Sequence, residues 1–197
     1  MPKPKKFNEK EALNVIMDVF WQKGYDGTSI DDLLQKLKIG KQSLYNAFGE
    51  KKAIFKKALD QYYVMSTEIL DTLNSQNASF SDIKDYFLVR HTAFSFTDYN
   101  HKACFVGNTI SNMSQEDQQL AEFALNYLKF VESAFENALI CALRKGEIKG
   151  DLNVKSTAKY LVTMAYGLGI LARAKENENE LKSMIELSLS FLTNRNS

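Results

Sequence analysis

Within eleven positions the chain sets Lys41, Gln42, Ser43, Tyr45, Asn46 and Lys51. Ammonium groups neutralise phosphate oxygens, and amide and hydroxyl side chains donate to and accept from base edges, so this set suits a nucleic acid better than it suits bond-making. The catalytic case is poor elsewhere: the only histidines are His91 and His101, and no nucleophile motif, phosphate loop or metal-ligand spacing accompanies them. No cofactor and no metal are expected. Cys104 and Cys141, the only cysteines, lie far apart and form no CxxC pair, which indicates neither a disulfide framework nor a zinc site and makes a reducing cytoplasm the expected setting.

Charge is distributed to match. The net charge of +1 hides a head and a body of opposite sign, because residues 1–57 hold 12 Lys against 7 Asp and Glu while residues 58–197 hold 13 Lys and Arg against 17. The basic end is the candidate for a polyanionic partner. No membrane is expected: the opening MPKPKKFNEK is followed by no secretory apolar stretch, and the longest mostly apolar run, 160–172, is too short to span a bilayer.

The elements that must carry these side chains are helices. Prolines occur only at Pro2 and Pro4, and no window alternates long enough to argue a sheet, so the expected fold is all-α with about nine helices. The first starts at Asn8, with Glu11 at capping-box spacing, and stops at Gly24. A second follows Thr28 and Ser29 with Ile30, Leu33, Leu34 and Leu37 on one face, and a third runs from Lys41 to Phe48, ended by Gly49. Two short helices joined by a tight turn form a helix-turn-helix, whose second helix can enter a major groove. Burying Leu33, Leu34, Leu37, Ile39, Leu44 and Phe48 against the first helix leaves the polar set on or near the outward side; the bland alternative is an ordinary solvated face. A longer helix begins at Lys51 and reaches about residue 73, and further helices are expected over about 81–96, 103–113, 115–144, 154–174 and 178–192.

Residues 24–55, GYDGTSIDDLLQKLKIGKQSLYNAFGEKKAIF, resemble in ordered combination the DNA-binding signature of the TetR/AcrR family of bacterial regulators. ACFVGNT at 103–109 and RKGEIKGDLNV at 144–154 are similar to segments of TetR-type ligand domains. The resemblance implies an N-terminal three-helix DNA-binding domain, residues 1–57, and a larger helical ligand-binding and dimerisation domain, residues 58–197. It also implies that Thr28 or Ser29 holds a phosphate, that Lys41, Gln42, Ser43 and Asn46 face bases or backbone, and that Tyr45 and Lys51 clamp phosphates. The helix N-terminus independently favours an anion. One departure is Lys38, where the family commonly has a glycine; either Gly40 absorbs the turn's strain or Lys38 turns left-handed.

In the body, YLVTMAYGLGILA at 160–172 is apolar all round and needs covering on several sides. With Gly167 and Gly169 allowing close approach, a second copy of the chain is the simplest cover; the alternative is a core helix of one chain. The resemblance implies a four-helix dimer seam, expected at Leu161, Met164, Leu168, Leu171, Leu181, Ile185, Leu189 and Leu192. Phe87, Phe94, Phe96, Phe105, Phe123, Tyr127 and Phe130 supply aromatic surface, to which His91, Asn108 and Asn112 add orienting polar groups, so a pocket for an uncharged or weakly polar ligand is expected, although any helical bundle produces such a pattern in its core. Cys104, near His101 and Lys102 at a predicted helix start, is a candidate redox or electrophile sensor or else an inert small hydrophobe.

The reading that follows is a ligand-responsive repressor: double-stranded DNA with a partly palindromic operator, a homodimer and a small-molecule inducer are its expected partners. Two alternatives stay beside it. An all-helical enzyme or carrier would show turnover without DNA affinity, and an architectural DNA-binding protein would lack an accessible cavity.

Overall fold

The computed structural model describes residues 7–91, 104–112, 118–174 and 176–193, with the side chains of Arg90 and His91 outside that description. Among the described residues the chain is all-helical: α1 Glu9–Lys23, α2 Ile30–Leu37, α3 Lys41–Phe48, α4 Lys51–Asn74, α5 Phe80–His91, α6 Phe105–Asn112, α7 Gln118–Arg144, α8 Val154–Arg173 and α9 Glu178–Ser190. It divides into two compact units, Met1–Ser66 and Thr67–Ser197, the division falling within α4.

In the first unit, α1 begins where Asn8 Oδ1 accepts the N–H groups of Lys10 and Glu11, at 3.0 and 3.4 Å. Glu11 returns the contact by accepting from the Asn8 side-chain amide at 3.0 Å, a variant of the expected box. The core is aromatic: Phe20 meets Phe55 edge-on at 4.9 Å and Trp21 meets Tyr62 at 5.0 Å. Leu33, Leu44, Phe48 and Ile54 complete it, each at most 4% exposed. α2 starts with a full capping box between Ser29 and Asp32.

The turn between α2 and α3 settles the question of its missing glycine. Lys38 sits in the left-handed region at φ 55°, ψ 39°, while Gly40 is extended at φ −79°, ψ 153°. A β-carbon is disfavoured at such a position, so the turn is held against a local cost by the buried side chains on either side of it.

In the second unit α7 packs most extensively on α8, α5 lies against α7, α8 and α9, and α6 rests on α7. Tyr86 and Phe87 of α5 contact Phe135 of α7 at 5.0 and 5.6 Å between ring centroids. The loop after α4 is fastened to α7 by polar contacts: Asn137 Nδ2 donates to the carbonyls of Leu73 and Ser75, and Lys145 Nζ to that of Asn77, all within 2.9 Å. The expected helix at 81–96 is described only as far as His91, and that at 115–144 only from Gln118.

Two outcomes follow for the first unit. Lys38→Gly relieves the left-handed β-carbon and raises stability by about 1 kcal/mol in urea denaturation; an unchanged or lower midpoint contradicts that reading. The Lys23 ammonium, then the Ser29 N–H and hydroxyl, hold the Asp32 carboxyl well below its ordinary value of 3.8. Its contribution is therefore present above pH 3.8 and is lost as acidity carries the group through its folded-state value. Asp32→Asn should destabilise near neutrality, and the gap between mutant and parent should close as pH falls below 3.8; a gap independent of pH would show that the charge does not matter.

Candidate nucleic-acid interface

α3 is an eight-residue helix turned by its two buried anchors, Leu44 and Phe48. Opposite them Lys41, Gln42 and Asn46 are exposed, and Ser43 and Tyr45 are half-buried at the margins. Gly40 occupies the N-cap and supplies no side-chain hydrogen bond, which leaves the first-turn N–H groups of α3 without a side-chain acceptor from the cap. At the other end Gly49 stops the helix at φ 84°, a conformation suited to glycine, and Lys57 Nζ donates to the Ala47 carbonyl at 3.1 Å.

Two of the predicted phosphate-binding residues share one concavity. Tyr45, Gly49, Glu50 and Lys51 line it, and the Lys51 ammonium stands 4.5 Å from the centroid of the Tyr25 ring, a cation–π contact that holds it at the foot of α4. Tyr25 was not singled out from the sequence, and its spacing from Lys51 carries no local signal. Lys41 lies 5.7 Å from the Tyr45 ring. Ser43 lies half-buried beside these groups.

The start of α2 separates the two residues expected to hold a phosphate. Thr28 is 0% exposed and its hydroxyl donates to the Gly24 carbonyl at 2.7 Å, so its side chain faces the core rather than an anion. Ser29 is at the surface, but its hydroxyl donates to Asp32 Oδ2 at 2.7 Å and accepts the Asp32 N–H at 3.0 Å. The negative group that this helix end favours is thus supplied by the chain itself.

In the second unit most of the residues expected at the dimer seam are covered by their own chain. Leu161, Leu168, Leu181, Ile185, Leu189 and Leu192 are each at most 4% exposed, buried by their own chain, and Met164 and Leu171 are half-buried. The uncovered apolar side chains of α8, α9 and the residue after them are others: Ile170 at 67% exposure, Leu187 at 76%, Tyr160 and Phe191. The Tyr160 and Phe191 rings meet edge-on at 5.2 Å across the two helices. Gly167 is exposed with open space above it, as it would be on an outward face. Both faces of α8 are apolar in sequence, so periodicity could not say which one turned inward.

Of the expected pocket residues, Phe87, Phe105 and Tyr127 are at most 2% exposed, Asn108 and Phe123 are half-buried, and Asn112 is exposed with its Nδ2 donating to the Asn108 carbonyl at 2.8 Å. His91 ends α5 but its side chain lies outside the described residues, as do Phe94, Phe96, His101 and Lys102. A cavity of about 10 Å³ is lined by Tyr86, Cys104, Tyr127, Val131, Ala165 and Tyr166, about the room one water needs. Cys104 precedes α6 and its sulfur accepts the Gly107 N–H at 3.4 Å, with Tyr166 Oη 3.8 Å away. A β-carbon on Gly107 would lie 2.5 Å from the Tyr166 ring, so glycine there is what lets α8 press onto α6.

Comparison with known proteins gives the same frame. Residues 12–58 match the family model for bacterial regulatory proteins of the tetR family. The chain is similar to the HTH-type transcriptional regulator YezE of Bacillus subtilis (strain 168), with 29% identity over 98% of this chain and all of the relative. It is also similar to the HTH-type transcriptional repressor ComR of Escherichia coli (strain K12), with 27% identity over 87% of this chain and 82% of that one. Among solved structures, the TetR family regulator CifR in complex with operator DNA superposes with a TM-score of 0.84, at 23% identity over 95% of this chain and 98% of that one, which is a likeness of fold. Helical head, helix-turn-helix and family match coincide on the same residues: residues 12–58 form a domain of the tetR family of bacterial regulatory proteins.

Proposed function

We propose that this protein is a dimeric transcriptional repressor that grips a partly palindromic operator with residues 1–57 and releases it when residues 58–197 bind a small-molecule inducer. The observation that carries the reading is the outward ridge of α3, polar and uncovered, flanked by the Tyr45 and Lys51 concavity. Lys41, Gln42, Ser43 and Asn46 face the groove, and Tyr45 and Lys51 clamp phosphate beside it, with Ser29 rather than Thr28 at the surface of the α2 terminus. The named relatives support the regulatory role: ComR is called a repressor, and CifR was solved on operator DNA. The reading assigns the chain no catalytic step and places its work in the cytoplasm, with the chromosome.

Two copies are needed because a short reading helix covers only half a site. We assign the contact to Tyr160, Ile170, Leu187 and Phe191, whose exposed apolar surface is continuous in type along α8 and α9. We place inducer binding near Tyr86, Tyr127 and Cys104, where a ligand that prefers an arrangement of the body's helices other than the DNA-binding one releases the operator. An aromatic lining suits an uncharged or weakly polar compound.

Tyr45→Ala and Lys51→Ala should lower duplex affinity with the fold intact, and the lysine change should flatten the plot of log affinity against log salt by about 0.9, one phosphate contact. Unchanged binding and slope would remove both residues from the interface. Ile170→Glu combined with Leu187→Glu should convert a dimer to a monomer in sedimentation while each chain stays folded, since both side chains are exposed; an unaltered dimer mass would place the seam elsewhere.

A further inference from the structure

The outward side chains of α3 sort into two stripes. Lys41 and Tyr45 form one, the ammonium 5.7 Å from the ring, and Tyr45 shares its concavity with Lys51. Cations and a phenol donor suit phosphate, which only accepts. Gln42 and Asn46 form the other stripe: both are exposed, and Gln42 Nε2 donates to Asn46 Oδ1 at 2.8 Å. An amide serves best where a partner both gives and takes.

The contact between these amides narrows what Gln42 can recognise. With one Nε2–H committed to Asn46, Gln42 keeps one N–H and its Oε1, side by side in a plane. In the major groove adenine presents the N7 acceptor beside the N6 amino donor, whereas guanine presents two acceptors, N7 and O6. One remaining donor and one acceptor complement adenine; against guanine the glutamine oxygen would face O6. The forked guanidinium that most often reads guanine is absent, because all 12 cations of residues 1–57 are lysines. Gly40 leaves the start of α3 bare, with open space where a side chain would stand, so nothing at the cap keeps Gln42 from a base edge.

We infer that Gln42 reads an adenine in each half-site of the target duplex, and that Asn46 is a positioning residue that fixes the orientation of its amide. The inference rests on the DNA-binding reading above and adds a base to it.

Selection from a randomised duplex library, run with the full-length parent, Gln42→Ala and Asn46→Ala, tests it. The parent should enrich adenine at one symmetric position per half-site, favoured over other bases by on the order of ten- to hundredfold. Gln42→Ala should lose the preference at that position and keep the rest of the half-site. Asn46→Ala frees the second Nε2–H, so guanine should join adenine there; a purely structural Asn46 would weaken enrichment evenly at every position and would remove the positioning role. The inference is overturned if the position that Gln42→Ala loses is guanine in the parent, or if Gln42→Ala enriches the parent's pattern unchanged. A parent that enriches a palindrome indifferent to Gln42 leaves the DNA-binding reading standing, whereas a parent that binds no duplex at low salt removes that reading and this inference with it.

Discussion

An eight-residue helix cannot hold itself together in water, and everything in the first unit follows from the need to hold α3 from behind. Leu44 and Phe48 anchor its inner face in a core of Phe20, Leu33, Ile54 and Phe55. Lys57, reaching from α4, donates to the Ala47 carbonyl near its C-terminal end. Because support comes from the inner face and the far end, the outer face and the N-terminus are released from structural duty, and Lys41, Gln42 and Asn46 stand at the surface. The left-handed Lys38 belongs to the same logic: burial of Leu33 and Leu44 on both sides of the turn dictates the backbone between them, whatever residue stands there.

The body solves a different problem, an excess of apolar surface. α8 turns Leu161, Ala165 and Leu168 toward its own chain, yet Tyr160 and Ile170 remain outside, as do Leu187 and Phe191 beyond it. Under the proposed dimer these side chains are the ones a second copy would cover, and that copy would bring the second reading head. Gly107 permits the Tyr166 ring to lie directly on α6, close to Tyr86 and Tyr127.

Much of this was legible in the residues. Capping chemistry at Asn8 and Ser29, the stops at Gly24 and Gly49 and the apolar periods marked α1 to α3, because those signals act within a few residues. The polar face of α3 was legible for the same reason. What local signals could not decide was phase on a helix apolar all round: Leu161 and Leu168 look like Tyr160 and Ile170 to any periodicity, and only tertiary packing chooses between them. The side chain of Thr28 was undecided for a related reason, since a threonine before a helix serves equally as a surface hydroxyl or as a buried one, and here it bonds to the Gly24 carbonyl. The cation–π contact of Lys51 with Tyr25 joins residues distant in sequence and left no trace there.

Hydroxyl-radical footprinting of the bound DNA asks whether two copies present α3 to successive major grooves on one face of a duplex. A two-headed dimer leaves paired protected patches on the same face, centred one helical turn apart, roughly 34–36 Å, or a whole multiple of it. A single isolated patch, or protection spread evenly along the duplex, would contradict it.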